Sequence, residues 1–127
     1  MVDGKFSKVW KASKQPRKQH KYRFNAPLHV KYKFMSSHLS KELRGKYGKR
    51  NAEVRKGDSV KILRGQFKGK TGKVDRADVK KSKVYIQGIE VSKKDGTKAF
   101  YPFNPSNLMI TELKLDDKKR VKGLERK

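Results

Sequence analysis

A glycine-rich segment at the centre of the sequence has residue types that could bind a phosphate. It reads Gly65-Gln66-Phe67-Lys68-Gly69-Lys70-Thr71. A phosphate-binding loop of the nucleotide-hydrolysing kind has four residues between its first glycine and the Gly-Lys pair, whereas this segment has three. Such a loop must also open into a helix, because the helix N-terminal amides hold the phosphates. The residues that follow, 72–75, are typical of a turn and a strand, so we predict no nucleotide hydrolysis here.

Histidines and carboxylates are the other side chains that could support a metal site or catalysis. His20, His29 and His38 are spaced nine residues apart, and the chain has no cysteine. Zinc sites bring their ligands together by short turns, which this spacing does not provide. Asp116 and Asp117 are adjacent in a highly charged segment, whereas acid–base catalysis needs carboxyls in a cleft with separated pKa values. We therefore predict no metal, no cofactor, no small-molecule substrate and no enzymatic activity.

The net charge points to a polyanionic partner. The 127 residues include 36 Lys plus Arg and 12 Asp plus Glu, giving a net charge of +24. Self-repulsion of this size opposes a compact free state, and a nucleic acid would relieve it because neutralised phosphates release counterions. The sequence has no apolar run of membrane-spanning length and no helix with a broad apolar face. We expect no membrane span and no secretory signal, and the absence of cysteine fits a cytosolic protein.

The N-terminal part is the most basic, with 16 basic and 3 acidic residues in 1–55. The segment Lys11 to Arg23 has almost nothing to bury and is expected to be disordered on its own. Aromatic residues lie within and beside it, and they either stack on RNA bases or pack on the folded domain. Both interpretations stay open for each ring: Trp10, Tyr22, Phe24, Tyr32 and Phe34.

One short helix is predicted after this arm. Leu39, Leu43 and Tyr47 are spaced i, i+4, i+8, which gives a single apolar stripe. Ser36 or Ser37 is expected to cap the start of the helix, and Gly48 is expected to end it. Basic residues lie off the stripe, and we expect this face to meet phosphate.

From Arg55 onward the hydrophobic pattern has a period of two. Val60 and Ile62 form one alternating pair, and similar short runs occur near residues 84–91, 100–103 and 108–110, separated by turn residues. Several short strands at this spacing predict a small barrel or a sandwich. Asp95-Gly96 predicts a type I′ hairpin turn, and Gly88 predicts a bulge or sharp corner. The last residues, from Asp116, are either a frayed surface helix or a second RNA-bound tail.

The most specific motif covers residues 55–81, RKGDSVKILRGQFKGKTGKVDRADVKK. It resembles a KOW motif, in which Gly-Asp precedes an alternating strand and Lys-Gly-x-x-Gly-x-Val opens the next strand. Gly65, Gly69 and Gly72 are expected to turn the backbone tightly with positive φ. The basic residues within 64–73 are expected on an exposed loop, the KOW loop, whose amides are open to phosphate. KOW modules also occur in transcription elongation factors, so the motif alone leaves two functions open.

Two further segments resemble one family of ribosomal proteins. Residues 25–47, NAPLHVKYKFMSSHLSKELRGKY, and residues 105–111, PSNLMIT, resemble the archaeal and eukaryotic branch of large-subunit protein family twenty-four, called twenty-six in eukaryotes. The resemblance covers about residues 14–120. It departs from the family pattern at Ser37-His38, where a small residue and a proline are expected, and at Asn104, where histidine is expected.

This resemblance implies a mainly β fold: an SH3-like small barrel with a basic extended N-terminal arm, one short helix and a charged C-terminal tail. We assign residues 1–49 to the arm and helix, 50–113 to the barrel and 114–127 to the tail. The implied function is that of a structural constituent of the large ribosomal subunit of a cytoplasmic ribosome. Its partners would be large-subunit ribosomal RNA, bound early in assembly and near the peptide tunnel exit, and neighbouring ribosomal proteins. The alternative is a KOW-type transcription elongation module.

The predicted RNA-binding residues are the basic side chains of the arm, the helix and the KOW loop. We expect them to contact phosphates rather than base edges, so that RNA shape and backbone are recognised. They are Lys14, Arg17, Lys18, Lys21, Arg23, Lys31, Lys33, Arg44, Lys46, Lys49, Arg50, Arg55, Arg64, Lys68, Lys70 and Lys73.

Overall fold

The computed structural model describes residues 6–7, 9 and 12–126, and within them the fold is mainly β, as predicted. Trp10 and Lys11 lie outside the described residues. The strands are β1 (Ser36–Leu39), β2 (Asn51–Glu53), β3 (Ser59–Ile62), β4 (Thr71–Asp78), β5 (Lys83–Ile86), β6 (Glu90–Ser92), β7 (Lys98–Phe100) and β8 (Leu108–Glu112). The helices are α1 (Pro16–Asn25), α2 (Leu28–Phe34), α3 (Lys41–Tyr47) and α4 (Lys118–Glu125), and a 3-10 turn covers Pro105–Asn107.

Six strands form one mixed sheet in the order β2-β1-β8-β3-β4-β5, and β6 and β7 form a separate hairpin. The pair β1–β8 is parallel, with His38 opposite Met109 and Leu39 opposite Ile110. All other neighbouring strands in the sheet are antiparallel. A strand from the N-terminal third of the chain therefore lies between β2 and the strands formed from residue 59 onward.

The core confirms the period-two pattern. Val60 and Ile62 in β3 and Leu108 and Ile110 in β8 are all at most 1% exposed, while the residues between them face outward. Met35 and Leu39 from the N-terminal part join the same core. Burial of these aliphatic side chains gives the sheet its main stabilisation, at roughly 25 cal/mol per Å² of apolar surface.

The predicted helix is real but begins later than expected. Residues 36–39 form β1 because Leu39 is fully buried and pairs with Ile110 of β8, so tertiary pairing overrides the helical stripe. The cap is therefore Ser40, whose Oγ accepts a hydrogen bond from the amide of Leu43, and neither Ser36 nor Ser37 serves. Gly48, with φ of 64°, ends the helix as predicted.

The arm is helical rather than extended, which corrects the prediction of an irregular arm and one short helix. Pro16 stands in the first turn of α1, a position that proline favours, and Pro27 precedes α2. Lys, Arg and Gln carry no apolar periodicity, yet they have high helix propensity. Neither helix has a buried residue; the rings of Tyr22 and Phe34, 6.3 Å apart, are one of the contacts that join them.

The C-terminal tail is docked, which rules out the predicted frayed surface helix, while the alternative of an RNA-bound tail stays a prediction. Arg120 and Leu124 of α4 are 7% and 6% exposed. The Arg120 guanidinium makes a two-point ion pair with Asp58, with N–O distances of 2.6 and 2.7 Å. It also donates to the carbonyl oxygens of Lys114 and Glu53. The hydrophobic and charge patterns of the sequence could not predict this ion pair, because its partners are 62 residues apart.

Two glycine predictions need correction. Gly65 and Gly69 have positive φ as expected, but Gly72 lies in β4 opposite Val60 and does not. A β-carbon there would stand 2.6 Å from Ile86 Cγ2 and 3.1 Å from the Gln87 carbonyl oxygen. The close approach of these two residues therefore explains why this position holds a glycine. The hairpin after β6 is not type I′, because Gly96 has positive φ and Asp95 does not. Instead, the Lys93 amide donates to the Thr97 carbonyl and the Gly96 amide donates to the Lys93 carbonyl, which closes a three-residue loop.

We expect Gly72→Ala to lower the free energy of unfolding by roughly 1–3 kcal/mol, because the added methyl forces Ile86 and the strand apart. Gly45→Ala in α3 is the matched control. A β-carbon there meets nothing within 4 Å, and alanine favours a helix by about 0.5–1 kcal/mol. Urea denaturation of both variants checks this, and equal midpoints would contradict it.

The buried ion pair makes a second prediction. Asp58→Asn or Arg120→Met should each cost about 3–5 kcal/mol of stability, because each leaves a buried charge unpaired. The double variant should cost less than the sum of the two. Arg55→Met, which removes an exposed ion pair with Asp117, is the control and should change the denaturation midpoint little. An Arg120→Met variant as stable as the wild type would show that the pair does not hold the tail.

Candidate nucleic-acid interface

The predicted RNA-binding cations are mostly accessible. Thirteen of the sixteen are exposed, and Lys31, Arg44 and Lys49 are half-buried. They do not form a single cluster, since they are divided among the N-terminal arm with its helices, α3 with the segment after it, and the KOW loop with the start of β4.

The KOW loop, between β3 and β4, presents its cations from a closed backbone. Arg64, Lys68 and Lys70 are exposed on the loop, and Lys73 is exposed on the strand that follows. The amides of Lys68, Gly69 and Lys70 donate to carbonyls of residues 62, 65 and 67, so they are not open to phosphate as expected. The loop can therefore meet RNA through these side chains, while its turns hold the backbone.

Phe67 fixes this loop to the core. Its ring is half-buried and lies edge-on to Tyr101 and Phe103, at centroid distances of 5.2 and 6.0 Å. The Lys70 ammonium lies over the Phe67 ring at 5.3 Å. A ring anchored in this way fixes the loop backbone beside the flanking lysines, which lowers the cost of ordering the loop when it binds a phosphate backbone.

A basic groove lies between the arm helices and the turn that joins β4 to β5. It has a volume of about 550 Å³ and brings together His20, Arg23, Phe24, Lys31, Phe34, Lys80, Lys81, Ser82, Lys83, Asn104, Pro105 and Ser106. Its five Lys and Arg side chains face no carboxylate among the lining residues. Arg23 and Lys31 were predicted as RNA-binding, whereas the lysines of the turn were not. The run Lys80-Lys81-x-Lys83 is the feature of the sequence that could have identified them.

The groove adjoins a second cavity at the start of the KOW loop. A second, smaller cavity of about 160 Å³ is lined by Arg64, Phe67 and Tyr101 together with Lys83 and Asn104, which also line the groove. The Lys83 ammonium donates to Asn104 Oδ1 at 2.6 Å, so Asn104 holds this lysine where the two cavities meet. One basic surface therefore runs from the arm across the turn to Arg64 at the start of the loop, whereas Lys68, Lys70 and Lys73 line neither cavity.

Three of the predicted cations have hydrogen-bond or ion-pair partners among the described residues. Arg44 Nε donates to the Leu39 carbonyl at 2.9 Å, and the Lys49 ammonium donates to the carbonyl of Gly123 in α4. Arg55 pairs with Asp117 at 2.6 Å, and this hydrogen bond, with a backbone bond from Lys119, lowers the pKa of Asp117. These side chains connect the sheet to α3 and α4.

The part of the chain that the structure describes contains no group of three or more His, Cys, Asp or Glu side chains able to hold a metal ion. None of its helices is long and apolar enough to cross a membrane.

The sequence matches, over residues 13–127, a protein family described as eukaryotic ribosomal protein L26 together with its archaeal counterpart. The chain belongs to this family. It is 52% identical over 119 residues to "Large ribosomal subunit protein uL24" of Methanocella arvoryzae, which covers 94% of this chain and 96% of the relative. The protein of the same name from Methanosphaera stadtmanae is 49% identical over 115 residues, which is 91% of this chain and 98% of that relative.

Family membership confirms the predicted resemblance, and it confirms the predictions of a non-enzymatic protein and of a cytoplasmic, ribosomal location. It favours the ribosomal interpretation of the KOW motif over a transcription elongation module, since the match extends through the arm and the tail. The continuous basic surface is thus part of a ribosomal protein.

Proposed function

We propose that this chain is a structural constituent of the large ribosomal subunit and that it binds large-subunit ribosomal RNA through its basic surface. The observation that carries the proposal is the continuity between the arm groove and the cavity at the start of the KOW loop, since Lys83 and Asn104 line both. A contiguous cationic strip can follow an RNA backbone, whereas scattered lysines give only weak, non-directional attraction. The family members compared above carry the name of large-subunit proteins, in agreement with this partner.

The sixteen predicted cations are proposed phosphate contacts, and we add Lys80, Lys81 and Lys83. Recognition rests on backbone position and RNA shape, because flexible ammonium groups on a surface strip reach phosphates more readily than base edges. Neighbouring ribosomal proteins would meet the surfaces that RNA leaves uncovered. Binding early in assembly, near the peptide tunnel exit, follows from the family resemblance and is part of the proposal.

We also propose that residues 50–113 form an SH3-like barrel, with 1–49 and 114–127 as attached extension and tail. The support is the contact between β5 and the segment that leads into β8. Val84 and Phe103 form an antiparallel bridge, and each donates its amide to the other's carbonyl at 2.9 Å. The register between β4 and β5 also shifts between Val74 and Arg76, and a β-bulge at such a point would bend β4 in the sense that closure of a small barrel needs.

Sedimentation tests the proposed function. The tagged full-length chain, expressed in cells of its source organism, should sediment with large subunits and remain bound in high salt. Phosphate contacts alone weaken steeply as the salt concentration rises, so a chain that stays bound is held within the assembled particle and is not loosely adsorbed to its surface. The small subunit is the internal control. Migration with RNA polymerase instead of the large subunit would refute the proposal.

The KOW loop gives a quantitative prediction. If Lys68, Lys70 and Lys73 each neutralise one phosphate, replacing all three by Ala should flatten the log–log salt dependence of RNA binding by roughly 2–3 units. The melting temperature should change little, because exposed substitutions usually cost less than about 0.5 kcal/mol.

A salt titration on a large-subunit ribosomal RNA transcript provides the measurement. The matched control replaces Lys93, Lys94 and Lys98 of the β6–β7 hairpin, which removes the same charge from a site outside the proposed strip. Equal slopes for the loop variant and the wild type would mean that the loop does not touch phosphate.

A further inference from the structure

The Phe24 side chain is an exposed apolar ring in a basic arm. It lies at the C-terminal end of α1 and is 82% exposed, although burying a ring of this size is strongly favourable. Two other rings of the arm are used internally: Tyr22 and Phe34 pair edge-on, and the Arg23 guanidinium lies 5.4 Å from the Phe34 ring centre. None of the ring pairs or cation–ring contacts among the described residues includes Phe24.

Phe24 also lines the basic groove. The opposite wall carries Lys80, Lys81 and Lys83, and Arg23 and Lys31 stand on the arm side. Two phenyl rings and five cations therefore line the same cavity, and of the two rings Phe34 already contacts Tyr22 and Arg23. Leu28 and Tyr32, the other exposed apolar residues of the arm helices, do not line it.

These two features together select one kind of nucleic acid. Phosphate alone would require only the cations, and a helix of paired RNA would satisfy them. In paired RNA the base faces are stacked inside the duplex, so an exposed ring has no base to contact. A positively charged channel with a ring in its wall is suited to an unpaired strand, whose backbone follows the charge while one base stacks on the ring.

We propose that the groove binds a single-stranded segment of RNA, with its phosphates against Lys80, Lys81 and Lys83 and one unpaired base stacked on Phe24. The inference rests on the proposed function and specifies the form of RNA that this part of the surface takes. Asn104 contributes by orienting Lys83, and the flat aromatic face accepts any base, so the site selects an unpaired strand without selecting its sequence.

The test uses the full chain and a mixed-sequence RNA of about ten nucleotides, a length within the range covered by known single-strand binding modules. A 5-iodouridine at its centre reports stacking by photocrosslinking. The same strand annealed to its complement is the paired probe. Mass spectrometry should locate the crosslink at Phe24 for the single strand and not for the duplex.

Affinities of variants give the second measurement. Phe24→Ala should weaken binding of the single strand by about 5- to 150-fold, the range for loss of one stacked base, and leave duplex binding unchanged. Tyr32→Ala is the matched control, because Tyr32 is an exposed ring of the same arm, 52% exposed and outside the groove, and it should change neither. Melting curves should be equal for all three chains.

The outcomes separate this inference from the proposed function. If Phe24→Ala binds the single strand as the wild type does, or if the crosslink maps elsewhere, the stacking site is refuted. The proposed function still holds in that case, provided that the wild type sediments with large subunits. Equal losses for single strand and duplex would also refute it, because they would indicate general damage to the arm. If the wild type fails to sediment with the large subunit, the proposed function itself is wrong.

Discussion

The carboxylate of Asp58 is the point on which the rest of the structure depends. It is completely buried, and it accepts hydrogen bonds from the amides of Arg55 and Lys114 and from two nitrogens of Arg120. An isolated buried charge would be costly, but one that accepts four bonds from an oppositely charged group and two amides is well compensated. The residues it joins belong to the turn before β3, the segment after β8 and helix α4.

This arrangement places one fully compensated ion pair inside the folded centre of a very basic chain. The carboxylate of Asp58 neutralises one cation inside the protein, while the cations proposed to meet RNA stay on the outside. Arg120 reaches further, to the carbonyl of Glu53 at the end of β2, and so connects the tail to the edge of the sheet. Since β2 pairs with β1 and β1 pairs with β8, the N-terminal and C-terminal parts of the chain are held by the same group of contacts. The rigid sheet positions the KOW loop and the β4–β5 turn toward a common surface.

The sequence predicted the parts of the fold that depend on local pattern. Period-two alternation found β3, β5 and β8, and glycine spacing found the loop at Gly65 and Gly69. The contacts that it missed are long-range: the parallel pairing of β1 with β8, which changes Leu39 from helix to strand, and the pairing of Asp58 with Arg120. An arginine in a charged tail looks like any other cation until its distant partner is known. The groove was missed for the same reason, since Lys31 and Lys81 meet only in the folded chain.

The arm helices show why the partner and the fold cannot be considered separately. Helix α1 has ten residues and α2 has seven, and neither buries a side chain. Helices shorter than about 12–15 residues are marginal in water without tertiary packing.

The arm is fixed near the sheet at Ala26 and Met35, which are 6% and 1% exposed, so it is anchored at the joint between its helices and at its C-terminal end. The two helices themselves bury no side chain, so packing on the sheet gives them little stability. A cationic surface with little packing of its own gains most from a polyanion, because binding removes self-repulsion and supplies the missing contacts together. The sheet therefore provides the fixed half of the groove, and the arm provides a half that would gain order from the RNA proposed to bind there.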